Sequence, residues 1–112
     1  MAFLDARPLF PGHTLLVPRE HIETLDRVQA ALIGPLFTAA QRLARAVEAA
    51  MQADGTFVAI NNRVSQSVPH LHIHVVPRRK GDGLRGFFWP RTKYASEEHA
   101  GEVADAIRKA LE

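Results

Sequence analysis

His70-Leu71-His72-Ile73-His74-Val75-Val76 is the stretch on which the fold turns. Side chains alternate faces along a β-strand, so the triplet His70, His72 and His74 shares one face while Leu71, Ile73 and Val75 share the other. A strand of this kind packs its apolar row on helices and leaves its imidazoles to line a surface or cleft. The predicted strand covers 69–77 and is bounded by Pro69 and Pro77.

Working outward, Thr56-Phe57-Val58-Ala59-Ile60-Asn61 is β-branched and aromatic and reads as a second strand, joined to the first by a polar loop over 62–68. Residues 28–51 carry the longest helical pattern, with Leu32, Leu36, Leu43 and Val47 on one stripe. Gly34-Pro35 interrupts that pattern and marks its expected first turn, where proline is tolerated. Asp54-Gly55 closes the helix with a turn. Nearer the start, residues 2–5 read as the tail of a strand, and Arg7-Pro8-Leu9-Phe10-Pro11-Gly12 is turn chemistry. A short buried strand over 13–17 ends at Pro18, and 20–25 suits a short helical turn. Beyond the histidines, 78–95 is rich in Gly, Arg and aromatics without a period. Ser96 is then a good N-cap, with Glu97 and Glu98 in the first turn of a helix reaching Leu111. A long helix, two strands linked at hairpin length and a closing helix predict an α+β fold with a small antiparallel sheet.

Composition narrows the classes. A chain of 112 residues has room for one core, and 46% hydrophobic with 23% charged residues excludes wholesale disorder and fibrous repeats. No apolar run approaches the ~20 residues of a membrane-spanning helix, so a membrane is not an expected partner. The absence of cysteine excludes disulfides, thiol catalysis and Cys-ligated metal centres. Met1-Ala2-Phe3-Leu4-Asp5 lacks the features of a secretory leader, and a cytoplasmic location is the default expectation. Between Arg63 and Lys93 seven cations stand against Asp82 alone, leaving +6 there and −4 elsewhere in a chain of net charge +2. Such an asymmetry suits an anionic partner such as phosphate, a nucleotide or nucleic acid, or else a solvated Arg-rich loop.

The histidine face admits three chemistries. It can be three ordinary half-exposed imidazoles. It can bind a transition metal, although Asp54 is the one carboxylate between Glu48 and Asp82 to assist. It can supply a nucleophilic imidazole with phosphate-binding neighbours, a reading that the surrounding positive charge favours.

Ser65-Gln66-Ser67-Val68-Pro69-His70-Leu71-His72-Ile73-His74-Val75-Val76-Pro77-Arg78 closely resembles the signature of the histidine triad (HIT) family. Asp5, Pro8 and Gly12-His13-Thr14-Leu15-Leu16-Val17-Pro18, continued by Arg19-Glu20-His21, resemble its early strand pair, so the likeness spans nearly the whole chain. The resemblance implies a single HIT domain over 1–112 that lacks the usual initial helix and first strands, and a loop between Asn61 and His72 about two residues shorter than the family pattern. It further implies cleavage at the α-phosphate of a purine nucleotide through a covalent nucleotidyl-His72, on a phosphoramidate or dinucleoside polyphosphate. No metal or other cofactor is needed in that scheme. His74 in the third position, where a glutamine would mark the uridylyltransferase-like branch, points to the hydrolase branch. Family members commonly pair, so the resemblance also implies a homodimer.

Residue by residue, the resemblance makes His72 the nucleophile, its other ring nitrogen donating to the backbone carbonyl of His70. His13 supports the His70 ring, His74 meets the α-phosphate oxygens, and Ser67 and Gln66 sit near the leaving group. Asp5 accepts from the ribose hydroxyls, and Asn61 contacts the substrate. Plainer roles stand beside these: a strand histidine for His13, a turn cap for Asp5, loop residues for Ser67 and Gln66. His21 and His99 are expected on the surface. Trp89, within Gly86-Phe87-Phe88-Trp89-Pro90-Arg91, is a core anchor or an aromatic wall. The rival functions are a nucleotide-binding module without turnover and a metal-dependent enzyme on the same histidine face. Nucleic acid, through 78–93, ranks last.

Overall fold

The computed structural model describes residues 1–84 and 91–112, so Phe87, Phe88 and Trp89 of the expected aromatic segment lie outside the described residues. The chain divides into two compact units, Met1–Asp82 and Gly83–Glu112. The first contains strands β1 (Ala2–Leu4) and β2 (Thr14–Leu16), a single 3-10 turn at Leu25–Arg27, helix α1 (Ala30–Ala50), and strands β3 (Gly55–Ala59) and β4 (Ile73–Arg78). The strands form one antiparallel sheet in the order β1-β2-β4-β3, which makes the histidine-bearing β4 a central strand.

The apolar row of β4 is sealed. Leu71, Ile73 and Val75 have no exposed surface and share a core with Leu16, Ile22 and the α1 residues Leu36, Ala40 and Val47. Leu32 and Leu43 of the predicted stripe pack against the same cluster. Burying side chains of this size contributes about 1.5–3 kcal/mol each, enough to set the register of β4.

Three boundaries differ from expectation. β4 begins at Ile73, not at 69, because its neighbours run out: Ile73 pairs with Leu16 near the end of β2, and Pro18 beyond it has no N–H to offer. His70 and His72 therefore precede the ladder, although the alternation persists, with Leu71 buried and His72 half-buried. Helix α1 starts at Ala30 and carries Pro35 inside it, a turn earlier than Gly34-Pro35 suggested. Proline costs roughly 3 kcal/mol in a helix interior, and burial of Leu36 with packing of Leu32 offsets it. The helical turn expected over 20–25 forms at Leu25–Arg27, leaving Ile22 and Thr24 buried ahead of it, Thr24 with an extended backbone.

Gly12 shapes the entry to β2. Its φ is +100°, and a Cβ there would lie 2.6 Å from Met51 Cγ, so both backbone angle and space demand glycine. Pro77 sits two residues beyond the last β2 partner of β4, where a residue without an N–H is tolerated.

In the second unit, helix α2 (Glu97–Leu111) starts as predicted: Ser96 Oγ accepts from the His99 N–H at 3.0 Å, and Glu97 and Glu98 occupy the positive end of the helix. His99 is exposed, as expected. Among the described residues no helix is long and apolar enough to cross a membrane.

Candidate functional site

The sheet register places the imidazoles. Leu15 lies opposite His74, and the β1–β2 hairpin continues one step past the strands, the Asp5 N–H donating to the His13 carbonyl at 2.9 Å. Alternation then puts Asp5, His13 and His74 on the sheet face opposite α1. His13 is diagonal to His74 and lies at the far end of the row from His70. The expectation that His13 supports the His70 ring is thereby corrected: His13 Nε2 is 3.0 Å from His74 Nδ1.

Backbone groups decide which nitrogens carry protons, because an N–H must donate and a carbonyl must accept. At the buried end, the Leu9 N–H donates to His13 Nδ1 at 3.1 Å. The His13 proton is therefore on Nε2 and is donated to His74 Nδ1, which leaves the His74 proton on Nε2. That Nε2 is buried and has no hydrogen-bond partner among the described residues. His13 is 3% exposed. Burial holds its pKa below the ordinary value, with the Asp5 carboxylate pulling the other way. Burial also lowers His74, reinforced by any positive charge on His72 or His13 and opposed by Asp5. Burial thus favours the neutral form of both rings, and His74 presents an N–H that has no partner among the described residues.

In the middle, His72 Nδ1 donates to the His70 carbonyl at 2.7 Å, the bond the family resemblance led us to expect. Its Nε2 keeps a lone pair and makes no hydrogen bond among the described residues. His72 and His74 meet edge to face, with ring centroids 4.9 Å apart. His72 Nε2 thus stands beside the His74 Nε2–H, neither engaged by a hydrogen bond among the described residues.

At the outer end, His70 Nε2 donates to the Pro18 carbonyl at 3.1 Å, and its Nδ1 lies 3.3 Å from Nδ1 of His21. His21 is exposed, as expected, but it belongs to this cluster, which sequence reasoning missed. The available signal was its place in Pro18-Arg19-Glu20-His21, where the second motif continues.

The remaining candidates are distributed around these rings. Asp5 Oδ1 accepts from the Arg7 N–H at 2.9 Å, a turn cap, while Oδ2 faces His13 Nε2 at 3.8 Å. Gln66 closes its own loop: its Oε1 accepts from the Arg63 N–H at 2.8 Å and its Nε2 donates to the Glu23 carbonyl at 2.7 Å. Ser67 is exposed, and its hydroxyl has no partner among the described residues. Asn61 is half-buried just beyond β3, while its neighbour Asn62 accepts from the Leu25 N–H at 2.8 Å. The loop turns tightly, with Arg63 and Ser65 both at positive φ (69° and 62°). Much of the basic segment is internally committed. Arg78 makes a two-pronged pair with Asp82, Arg63 pairs with Asp26, and Arg79 donates to the Met51 carbonyl.

Asp5, His13 and His74 bring potential metal-ligand atoms within 4.8 Å of one another. The donor set does not fit a cation as it is wired. A metal needs an imidazole lone pair, and His13 spends its Nδ1 lone pair on Leu9 while its Nε2 bears the proton. Within the triplet itself His72 Nε2 holds the one uncommitted lone pair.

Residues 1–81 match the family profile described as HIT domain. An uncharacterized HIT-like protein of Saccharolobus solfataricus is 39% identical over 99% of this chain and 81% of its own length. An uncharacterized HIT-like protein of Mycobacterium tuberculosis is 41% identical over 75% of this chain, and the match spans 60% of that relative's length. The asymmetrical bis(5'-nucleosyl)-tetraphosphatase of Schizosaccharomyces pombe is 31% identical over 72% of this chain and 46% of its own. Among solved structures, one from Streptococcus mutans superposes with a TM-score of 0.86 at 33% identity, covering 99% of this chain and 71% of that one.

Proposed function

This chain belongs to the HIT domain family, and on that premise we propose that it is a nucleotide hydrolase acting at the α-phosphate of a purine nucleoside phosphoramidate or dinucleoside polyphosphate. His72 Nε2 attacks the α-phosphorus. The bond from phosphorus to the leaving nitrogen or oxygen breaks with its electron pair, and Ser67 delivers the proton the leaving group needs. Water then attacks the nucleotidyl-His72 and its proton passes to the Ser67 oxygen, the P–N bond returns its electrons to Nε2, and a nucleoside monophosphate departs. His74 Nε2–H faces the non-bridging oxygens, where an N–H preset before the reaction costs no reorganisation as negative charge develops. Asp5 is assigned to the ribose hydroxyls, and Asn61 and Gln66 to the substrate-side loop.

One observation carries this reading: the His72 Nδ1–His70 carbonyl bond at 2.7 Å makes Nε2 the basic nitrogen. An imidazole is a competent nucleophile near neutral pH because much of it is unprotonated there. The tetraphosphatase relative supports the substrate class, since its name makes it a hydrolase of a bis(5'-nucleosyl) tetraphosphate.

Intact-protein mass spectrometry tests the chemistry. After mixing with adenosine 5'-phosphoramidate or diadenosine tetraphosphate, the protein is expected to gain the mass of an adenylyl group, and His72→Gly to gain none. Adenosine monophosphate release without any adduct, at full rate in His72→Gly, would remove His72 from the reaction.

A further inference from the structure

The peptide unit between His70 and Leu71 lies outside the β4 ladder, yet its carbonyl sets the proton position on His72. Something other than the sheet must orient it. The segment 18–22 makes three hydrogen bonds to this unit and the ring beside it. The Leu71 N–H, in the same peptide plane as the His70 carbonyl, donates to the Ile22 carbonyl at 2.6 Å. His70 Nε2 donates to the Pro18 carbonyl at 3.1 Å. With that proton on Nε2, His70 Nδ1 is an acceptor, so His21 Nδ1–H is the donor across the 3.3 Å contact. The two rings lie 5.3 Å apart and are tilted by 34°. His21 is the one member of this clamp that acts through a side chain.

We propose that His21 is a positioning residue: by donating to His70 it completes a clamp that fixes the His70 carbonyl, and through that carbonyl the Nδ1–H tautomer of His72. The kinetic consequence rests on the reading of His72 as nucleophile, whereas the tautomer consequence does not. Free neutral histidine favours the proton on Nε2, so the opposite tautomer at His72 has to be imposed by its surroundings. A second donor reaching His70 from the solvent side would serve the same purpose. Asparagine qualifies, because its Nδ2–H falls near the place of the histidine Nδ1–H.

The test uses the intact chain with 15N-labelled histidine and needs no substrate for its first arm. In the wild type, Nδ1 of His72 is expected to show the shift of a protonated nitrogen and Nε2 that of a bare one. In His21→Ala both His72 nitrogens move toward averaged values as the two tautomers mix, and His21→Asn restores the wild-type pattern. On adenosine 5'-phosphoramidate, His21→Ala lowers kcat by about five- to tenfold, the usual reach of one neutral hydrogen bond, with KM changed less than about twofold. His21→Asn recovers most of the rate. An unchanged His72 spectrum in His21→Ala overturns the inference whatever the rate does. If the wild type turns over neither the phosphoramidate nor diadenosine tetraphosphate, the reading of function falls while the spectra still decide the clamp.

Discussion

The two ends of the triplet solve one problem with different materials. At the His74 end the second ring, His13, is 3% exposed, and a backbone N–H starts the chain of donors. Burial there favours the neutral form of both imidazoles, and the chain of donors ends on the buried Nε2–H of His74. At the His70 end the second ring, His21, is exposed, and a backbone carbonyl terminates the chain. Protons run toward the site on one side and away from it on the other. The difference teaches that two histidine pairs of similar geometry do unlike work: the inner pair aims a donor at the site, and the outer pair steadies a carbonyl.

Removing the residue the two ends share breaks the comparison most severely. His72→Ala should lower nucleoside monophosphate release on the order of 10⁴-fold, the scale seen when a nucleophile is deleted, with thermal unfolding nearly unchanged because the ring is half-buried. Steady-state rates and melting curves on one preparation check both halves.

His13→Ala is expected to separate the ends. It orphans the Leu9 N–H and opens space beneath His74, so a stability loss of about 2–3 kcal/mol should appear in urea titration. His21→Ala, on the exposed side, should leave the urea midpoint almost in place. Equal losses from the two variants would erase the distinction.

Acidification sharpens it further. His13 and His74 are depressed from the ordinary value of 6.5 by burial, so below about pH 6.5 the unfolded chain takes up protons that the folded one refuses. Their contribution to stability is therefore complete above pH 6.5 and lost as pH falls toward their folded-state values. Urea midpoints measured between pH 7.5 and 5 should fall with pH in the wild type and fall less in His13→Ala.

The smallest effect belongs to the loop. Gln66→Ala removes one bond to Arg63 and one to Glu23 at a partly exposed site, so about 0.5–1.5 kcal/mol of stability should be lost. A larger drop in kcat than in stability would show that the loop also positions Ser67.

Much of this is legible in the sequence. The alternation from Leu71 to Val75, the α1 stripe and the Ser96 cap are local patterns, and each appears where it was expected. Boundaries were less legible, because β4 begins where its neighbours permit and not where its own residues would start a strand. Among the candidates, the His72–His70 bond was anticipated through the family resemblance, and it joins partners only two residues apart. The partner of His13 was not, because register across β2 and β4 selects His74 over His70. Gln66 and Asn62 read alike as polar loop residues, and only the docking of the loop on Glu23 and Leu25 shows what their amides hold.

By itself, then, the amino-acid order determined an antiparallel α+β sheet and a row of imidazoles on one of its faces, because a period of two and a period of 3.6 are properties of the local chain. Only the tertiary structure decided which nitrogen of each ring carries its proton. That choice belongs to the Leu9 N–H, the Pro18 carbonyl and the His70 carbonyl, main-chain groups that every residue possesses and that acquire a meaning only when folding sets them beside a particular ring.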